Sequence, residues 1–201
     1  MRIGRRKDTK IAPPQVHNVT FICAHSAGGH KDDPAMRATA AALEARGIEV
    51  VRFNFPYRER GSKLPDRMPE LKAAFAAVVE PLRGNRKLIL GGRSMGGRVA
   101  TMLAADGFAC DGLLLFAYPL HPAGKPEKLR DAHLPAIRVP VLCFNGTRDK
   151  LCTRELMEAA LARVTTDWQM HWIEGADHSL TGRSVMDDMA NAAQRWLARL
   201  N

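Results

Sequence analysis

Between positions 88 and 103 the chain passes from an apolar run, through a glycine-rich turn, into a helical pattern. Leu88, Ile89 and Leu90 read as a buried strand. Gly92, Ser94 and Gly96 follow with one residue between each, and then Val99, Met102 and Leu103 fall on one helical face. Strand, tight turn with a serine, helix: this order holds a serine hydroxyl exposed above the end of a sheet. The turn is sharp enough that side chains two residues either side of the serine are expected to collide with it, and glycine has none. The Met95 N–H, first in the helix, points at the same spot and gains from the positive helix end.

Glycine and serine at this spacing also occur in ordinary loops, so the rest of the chain must supply an acid, a histidine and a second N–H donor. Apolar runs alternate with helical patterns along its whole length. Strands are expected at 19–24, 48–55, 87–90, 112–118, 139–145 and 168–173. Helices are expected from Pro34 to about Ala45, over 70–82, after Ser94 to about Asp106, over 153–163 and over 184–200. Asp32 or Asp33 is placed to cap the first helix, with Pro34 at its first position. Residues 56–69 read as polar loop, and 119–138 as a proline-bearing segment too short for a lid. The alternation predicts an α/β fold: one doubly wound, mostly parallel sheet of about six strands with no cap domain. Residues 1–15 read as an N-terminal arm and 16–201 as the domain.

The 201 residues, 46% hydrophobic and 25% charged, suffice for one sizeable core. No apolar stretch approaches a membrane span, and the basic residues near Met1 have no apolar run behind them, so the cytoplasm is the expected location and no membrane partner is expected. Of four cysteines, Cys23 and Cys143 sit in strand patterns and read as buried small hydrophobes, and no pair has zinc or redox spacing. The net charge of +9 is spread, with groups at Arg2–Lys10 and at Arg52, Arg58, Arg60 and Lys63. With no nucleic-acid motif it reads as a solvated basic surface, and nucleic acid is not an expected partner.

In open α/β sheets the reacting groups gather beyond the carboxyl ends of the strands. His25 to Gly29, Ser94, Asp149 and His178 all stand there. Their order, Ser then Asp then His, suits a serine made nucleophilic by a histidine that a carboxylate orients. Asp177 is a rival acid, but adjacent side chains diverge. His25 reads as fixing its loop, His171 as a packed or edge residue, and His17 and His133 as exposed loop residues. Glycine at 28 and 29 allows close backbone approach, so Ala27 is the expected second oxyanion donor beside Met95. His121, Arg93 and Arg58 are candidates to line a substrate pocket.

Several segments together carry a family resemblance. They are His25 to Gly29, Arg52 to Tyr57, Gly91 to Arg98, Tyr118 to Pro122, Gly146 to Asp149 and Gly175 to Ser179. The chain resembles the small, capless α/β-hydrolases: bacterial dienelactone-hydrolase-like proteins, testis-expressed hydrolase-like proteins and a subunit of the non-specific lethal chromatin complex. The resemblance spans about residues 18–198. It implies that fold, with Ser94, Asp149 and His178 as the matching triad. The family usually has glycine where Ser26 stands. Dienelactone hydrolases proper use a cysteine nucleophile, so their substrate is not carried over to a chain with serine at this position.

The reading that follows is a hydrolase of a small-molecule carboxylic ester or thioester, working through an acyl-enzyme with no metal or organic cofactor. The alternative is a non-catalytic interaction domain that keeps the fold.

Overall fold

The structure, a computed structural model, describes residues 18–200. The expected arm at 1–15 and His17 lie outside the described residues. Six strands form one sheet: β1 (Val19–Ala24), β2 (Glu49–Phe53), β3 (Lys87–Arg93), β4 (Gly112–Phe116), β5 (Val141–Gly146) and β6 (Trp168–Ile173). All neighbours are parallel, in the order β2-β1-β3-β4-β5-β6. The inner strands β1, β3, β4 and β5 are buried along nearly their whole length, which is why they read as unbroken apolar runs. The edge strands β2 and β6 are half-exposed.

The helices are α1 (Pro34–Glu44), α2 (Pro56–Glu59), α3 (Met68–Val79), α4 (Met95–Ala105), α5 (Arg154–Leu161) and α6 (Arg183–Arg199). Alternate strand residues face opposite sides. Phe21, Ile89, Leu114 and Phe144 pack under α1 and α6, with Met36, Leu43, Met189 and Trp196. Ile22, Leu90, Leu115 and Cys143 pack under α3, α4 and α5, with Phe75, Val99 and Met157. The molecule is therefore a three-layer α/β/α domain. No helix among the described residues is long and apolar enough to cross a membrane.

Several boundaries move from the sequence expectation for local reasons. β4 stops at Phe116 instead of 118 because Ala117 turns to φ 54°. β3 continues past Leu90 because Gly91, Gly92 and Arg93 stay paired to β1 and β4. Residues 56–69 include the short α2. Asp33 stands at the N-cap of α1, but its carboxylate turns back and accepts the His30 N–H at 2.7 Å, leaving the helix without a side-chain cap. Thr153 does cap α5 through the Leu156 N–H. Gly47 ends α1 at φ 79°, its N–H donating to the Glu44 carbonyl.

From β1 the chain steps outward to β2, then crosses back to β3 on the other side of β1. The loops after β1 and β3 leave in opposite directions and open a crevice at the carboxyl end of the sheet. His25 to Gly29 form one bank of that crevice and Ser94 the other.

Candidate active site

Ser94 sits between the end of β3 and the start of α4 at φ 49° and ψ −113°. A serine with positive φ is strained backbone, held here by its surroundings. Its N–H donates to the Phe116 carbonyl at 2.8 Å, and its carbonyl accepts the Arg98 N–H at 3.1 Å, which starts the helix. The flanking glycines are needed for a reason other than the one expected. A Cβ at Gly92 would lie 2.1 Å from the Ala24 carbonyl oxygen, and one at Gly96 would lie 2.3 Å from the same atom. The nearest obstacle at both positions is the end of β1, with Gly92 also held at φ 143°.

The His178 ring, about a third exposed, lies between Ser94 and Asp149. Its Nε2 is 2.9 Å from the Ser94 Oγ, and its Nδ1 is 2.8 Å from the Asp149 Oδ2. A carboxylate only accepts, so Nδ1 carries the proton and Nε2 is left to accept from the serine hydroxyl. The Asp149 side chain is fully buried. Its Oδ1 accepts the Leu151 N–H at 2.8 Å, and its Oδ2 also accepts from the Asn145 Nδ2 at 3.1 Å. Both carboxylate oxygens therefore have donors, which offsets part of the cost of burying them. Asp177 takes no part: it is exposed and turns to Ser179, whose hydroxyl and N–H hold its carboxyl below the usual range.

Asn145 escaped the sequence reading. Fully buried at the end of β5, it accepts the Tyr118 N–H at 3.0 Å and donates to the Tyr118 carbonyl at 3.2 Å. It thus ties the loop after β4 to the acid. The signal was a lone amide closing the apolar run Val141 to Phe144.

His25 is buried, and both its nitrogens are spent on backbone. Nε2 accepts the Phe55 N–H at 3.2 Å, so Nδ1 carries the proton and donates to the Ser26 carbonyl at 2.8 Å. Burial lowers its pKa and keeps the ring neutral. The same Ser26 carbonyl accepts the Gly29 N–H at 2.9 Å, and Gly28 closes the turn at φ 68°. Ala27 and Met95 both border the cavity that Ser94 opens into, and neither N–H donates to another protein group among the described residues.

That cavity has a volume of about 440 Å³. Met68, Leu71, Met95 and Leu151 supply its apolar lining, and His121 borders it beside Leu151. His121 donates from Nδ1 to the Pro122 carbonyl at 2.9 Å, leaving a buried Nε2 with no partner among the described residues. The two arginines expected here are elsewhere. Arg93, on β3, points to the α1–α6 face, where it reaches Thr39 at 3.2 Å and the Ser179 carbonyl. Arg58 donates to the Ser62 carbonyl at 2.8 Å and does not border the cavity. Arg98 and Arg130 stand at the wall instead. His133 is also corrected: it is half-buried rather than loose, with Nε2 2.9 Å from the Thr101 Oγ1, and burial together with the nearby Arg98 charge pushes its pKa down to about 4. His171 is on the edge strand as expected, 2.8 Å from Asp188.

A larger groove of about 700 Å³ runs between α1 and the start of α6, but alanines of α1 line one side of it and no member of the Ser94 constellation reaches it. Among the described residues no group of three or more His, Cys, Asp or Glu side chains could hold a metal ion. The arrangement beside Ser94 can do one kind of chemistry well. It can remove a proton from a hydroxyl and aim the oxygen at an electrophilic centre.

A family model described as an alpha/beta hydrolase domain matches residues 17–199. Solved structures share the fold. An alpha-beta serine hydrolase homologue from Coxiella burnetii is 22% identical with a TM-score of 0.68, over 90% of this chain and 84% of that one. A dienelactone hydrolase from Anabaena variabilis is 21% identical with a TM-score of 0.71, over 92% and 87% of the two chains. A lidless a/b serine hydrolase from Xanthomonas campestris is 21% identical with a TM-score of 0.68, over 96% and 84%.

Proposed function

The chain belongs to the alpha/beta hydrolase domain family, and from that membership we propose a serine hydrolase that cleaves a carboxylic ester or thioester through an acyl-enzyme. The Ser94 Oγ attacks the carbonyl carbon while its proton passes to the His178 Nε2. The imidazolium is stabilised by Asp149, which keeps its own charge. The carbonyl oxygen, now negative, accepts from the Met95 and Ala27 N–H groups. His178 returns the proton to the departing alcohol or thiol as the carbonyl re-forms. Water then repeats the sequence, its proton taken by His178, and the acid leaves with Ser94 restored.

The observation that carries this reading is the unbroken line from the Ser94 Oγ to the His178 Nε2 at 2.9 Å and on from Nδ1 to a fully buried carboxylate at 2.8 Å. A fold used only for binding needs neither the strained serine nor a buried charge behind the histidine. The substrate is a small molecule that fits an open cavity of about 440 Å³. A cytoplasmic location suits four cysteines that are all free, three of them buried.

The direct test is labelling with a fluorophosphonate probe, which reacts only with an activated serine. The unmodified protein is expected to label, and both Ser94→Ala and His178→Ala to lose labelling. A folded protein that fails to label, and turns over no ester or thioester, refutes the proposal.

A further inference from the structure

The cavity beside Ser94 carries more positive charge than ester cleavage uses. Arg98 and Arg130 both border it. Arg98 lies one helical turn beyond the nucleophile, its N–H on the Ser94 carbonyl, and its Nε is buried with no partner among the described residues. Arg130 is held in place by its backbone, through the Leu120 carbonyl at 2.7 Å and the Tyr118 hydroxyl at 3.1 Å. Its guanidinium makes no hydrogen bond or ion pair among the described residues.

The carboxylates nearby are all engaged elsewhere. Asp66, on the same cavity, is taken by Arg60 at 2.6 Å. Asp131, next to Arg130 in the chain, is taken by Arg163, and Asp106 by Lys72. Asp149 is taken by His178 at 2.8 Å. Burial and then the charge of Arg130 hold Arg98 below the ordinary arginine range. Two like charges kept close on a partly buried wall, with counter-ions available but bonded away, are a cost that an incoming anion removes. The buried, partnerless Nε2 of His121 on the same cavity is a second polar atom that the protein itself does not satisfy.

We propose that Arg98 and Arg130 form an anion subsite of this cavity, and that the ester it takes carries a carboxylate held by these two guanidinium groups. The proposal rests on the hydrolase reading above. Ser94 and both arginines border one cavity of about 440 Å³, so the carboxylate and the carbonyl that Ser94 attacks belong to one small molecule. The hydrocarbon between them runs along Met68, Leu71, Met95 and Leu151. Paired guanidiniums match the two oxygens of a planar carboxylate.

The test compares two substrates of similar length, the 4-nitrophenyl monoester of glutaric acid and neutral 4-nitrophenyl valerate. The unmodified protein is expected to favour the anionic ester by tenfold or more in kcat/KM, mainly through KM. Arg130→Gln is expected to bring the ratio of the two values close to one, and Arg130→Lys to restore part of it. A purely structural role for Arg130 would lower both rates and leave the ratio alone. Glutarate binding to the Ser94→Ala protein, followed by calorimetry, supplies a readout independent of turnover. No preference for the anionic ester in a protein that labels with fluorophosphonate overturns the anion subsite and leaves the hydrolase reading standing. Glutarate binding that Arg130→Gln abolishes, in a protein that neither labels nor turns over either ester, supports the subsite and overturns the hydrolase reading.

Discussion

Two histidines stand at carboxyl ends of the same sheet, and they are built differently. His25, after β1, is sealed from solvent and gives both ring nitrogens to backbone groups of fixed chemistry, the Phe55 N–H and the Ser26 carbonyl. His178, after β6, is about a third exposed and gives its nitrogens to a carboxylate and a hydroxyl. The first pair of bonds has no reason to change. The second pair includes a proton that can move. Placement at a strand end is common to both, so it is the chemistry of the partners that separates a loop clamp from a base.

The largest way to test that contrast is Asp149→Asn. An amide donates toward Nδ1 and forces the imidazole into the wrong tautomer, so ester turnover is expected to fall about 10⁴-fold with the fold intact. A loss under tenfold, measured by steady-state kinetics on folded protein, would mean that the carboxylate is not what distinguishes the two rings.

His25→Ala comes next and should act on stability. It strands the buried Phe55 N–H, takes one of two donors from the Ser26 carbonyl and leaves a void beside Phe55 and Tyr57, at an expected cost of about 2–4 kcal/mol. Urea unfolding would read this as a lower midpoint. Fluorophosphonate labelling of the folded fraction should fall far less than in His178→Ala. Lost labelling at unchanged stability would break the comparison by making His25 part of the chemistry.

The smallest effect concerns acid. Burial lowers the pKa of His25, and burial with the Arg98 charge holds His133 at about 4. In the unfolded chain a histidine takes its proton near 6.5. Between about 6.5 and 4 the unfolded state therefore binds more protons than the folded state, and stability should fall as pH is lowered through that window. His133→Gln is expected to flatten the drop in urea midpoint measured across it. An unchanged slope would show that the ring is not held neutral.

Much of the site was legible because the elements that carry it are locally coded. Ser94 lies between an apolar run and a helical face, and Asp149 and His178 follow strands of clear pattern. The arginines were not legible. Arg93 and Arg58 are close in sequence to the motifs, but Arg93 is on a strand, where neighbours point to opposite faces, and its side chain goes to the far layer. Arg98 looks like an ordinary polar helix position, and Arg130 lies in a proline-bearing stretch without periodicity. Only the fold brings them to one cavity. His133 was misread for a related reason: its burial comes from α4 crossing beneath residues 134–136, a contact between segments with no shared pattern.

The placement of the three residues also sets when the site can exist. Ser94 and His178 are 84 positions apart, and Asp149 and His178 are 29 apart, each beyond the end of a different strand. Pairing parallel strands is slow because the connecting chain must be gathered before any contact repays it. As the chain leaves the ribosome, β1 to β5 can begin to assemble while β6 and the loop bearing His178 are still to come. On the proposed mechanism the serine spends that interval without its base, and reactivity arrives only with the last edge of the sheet.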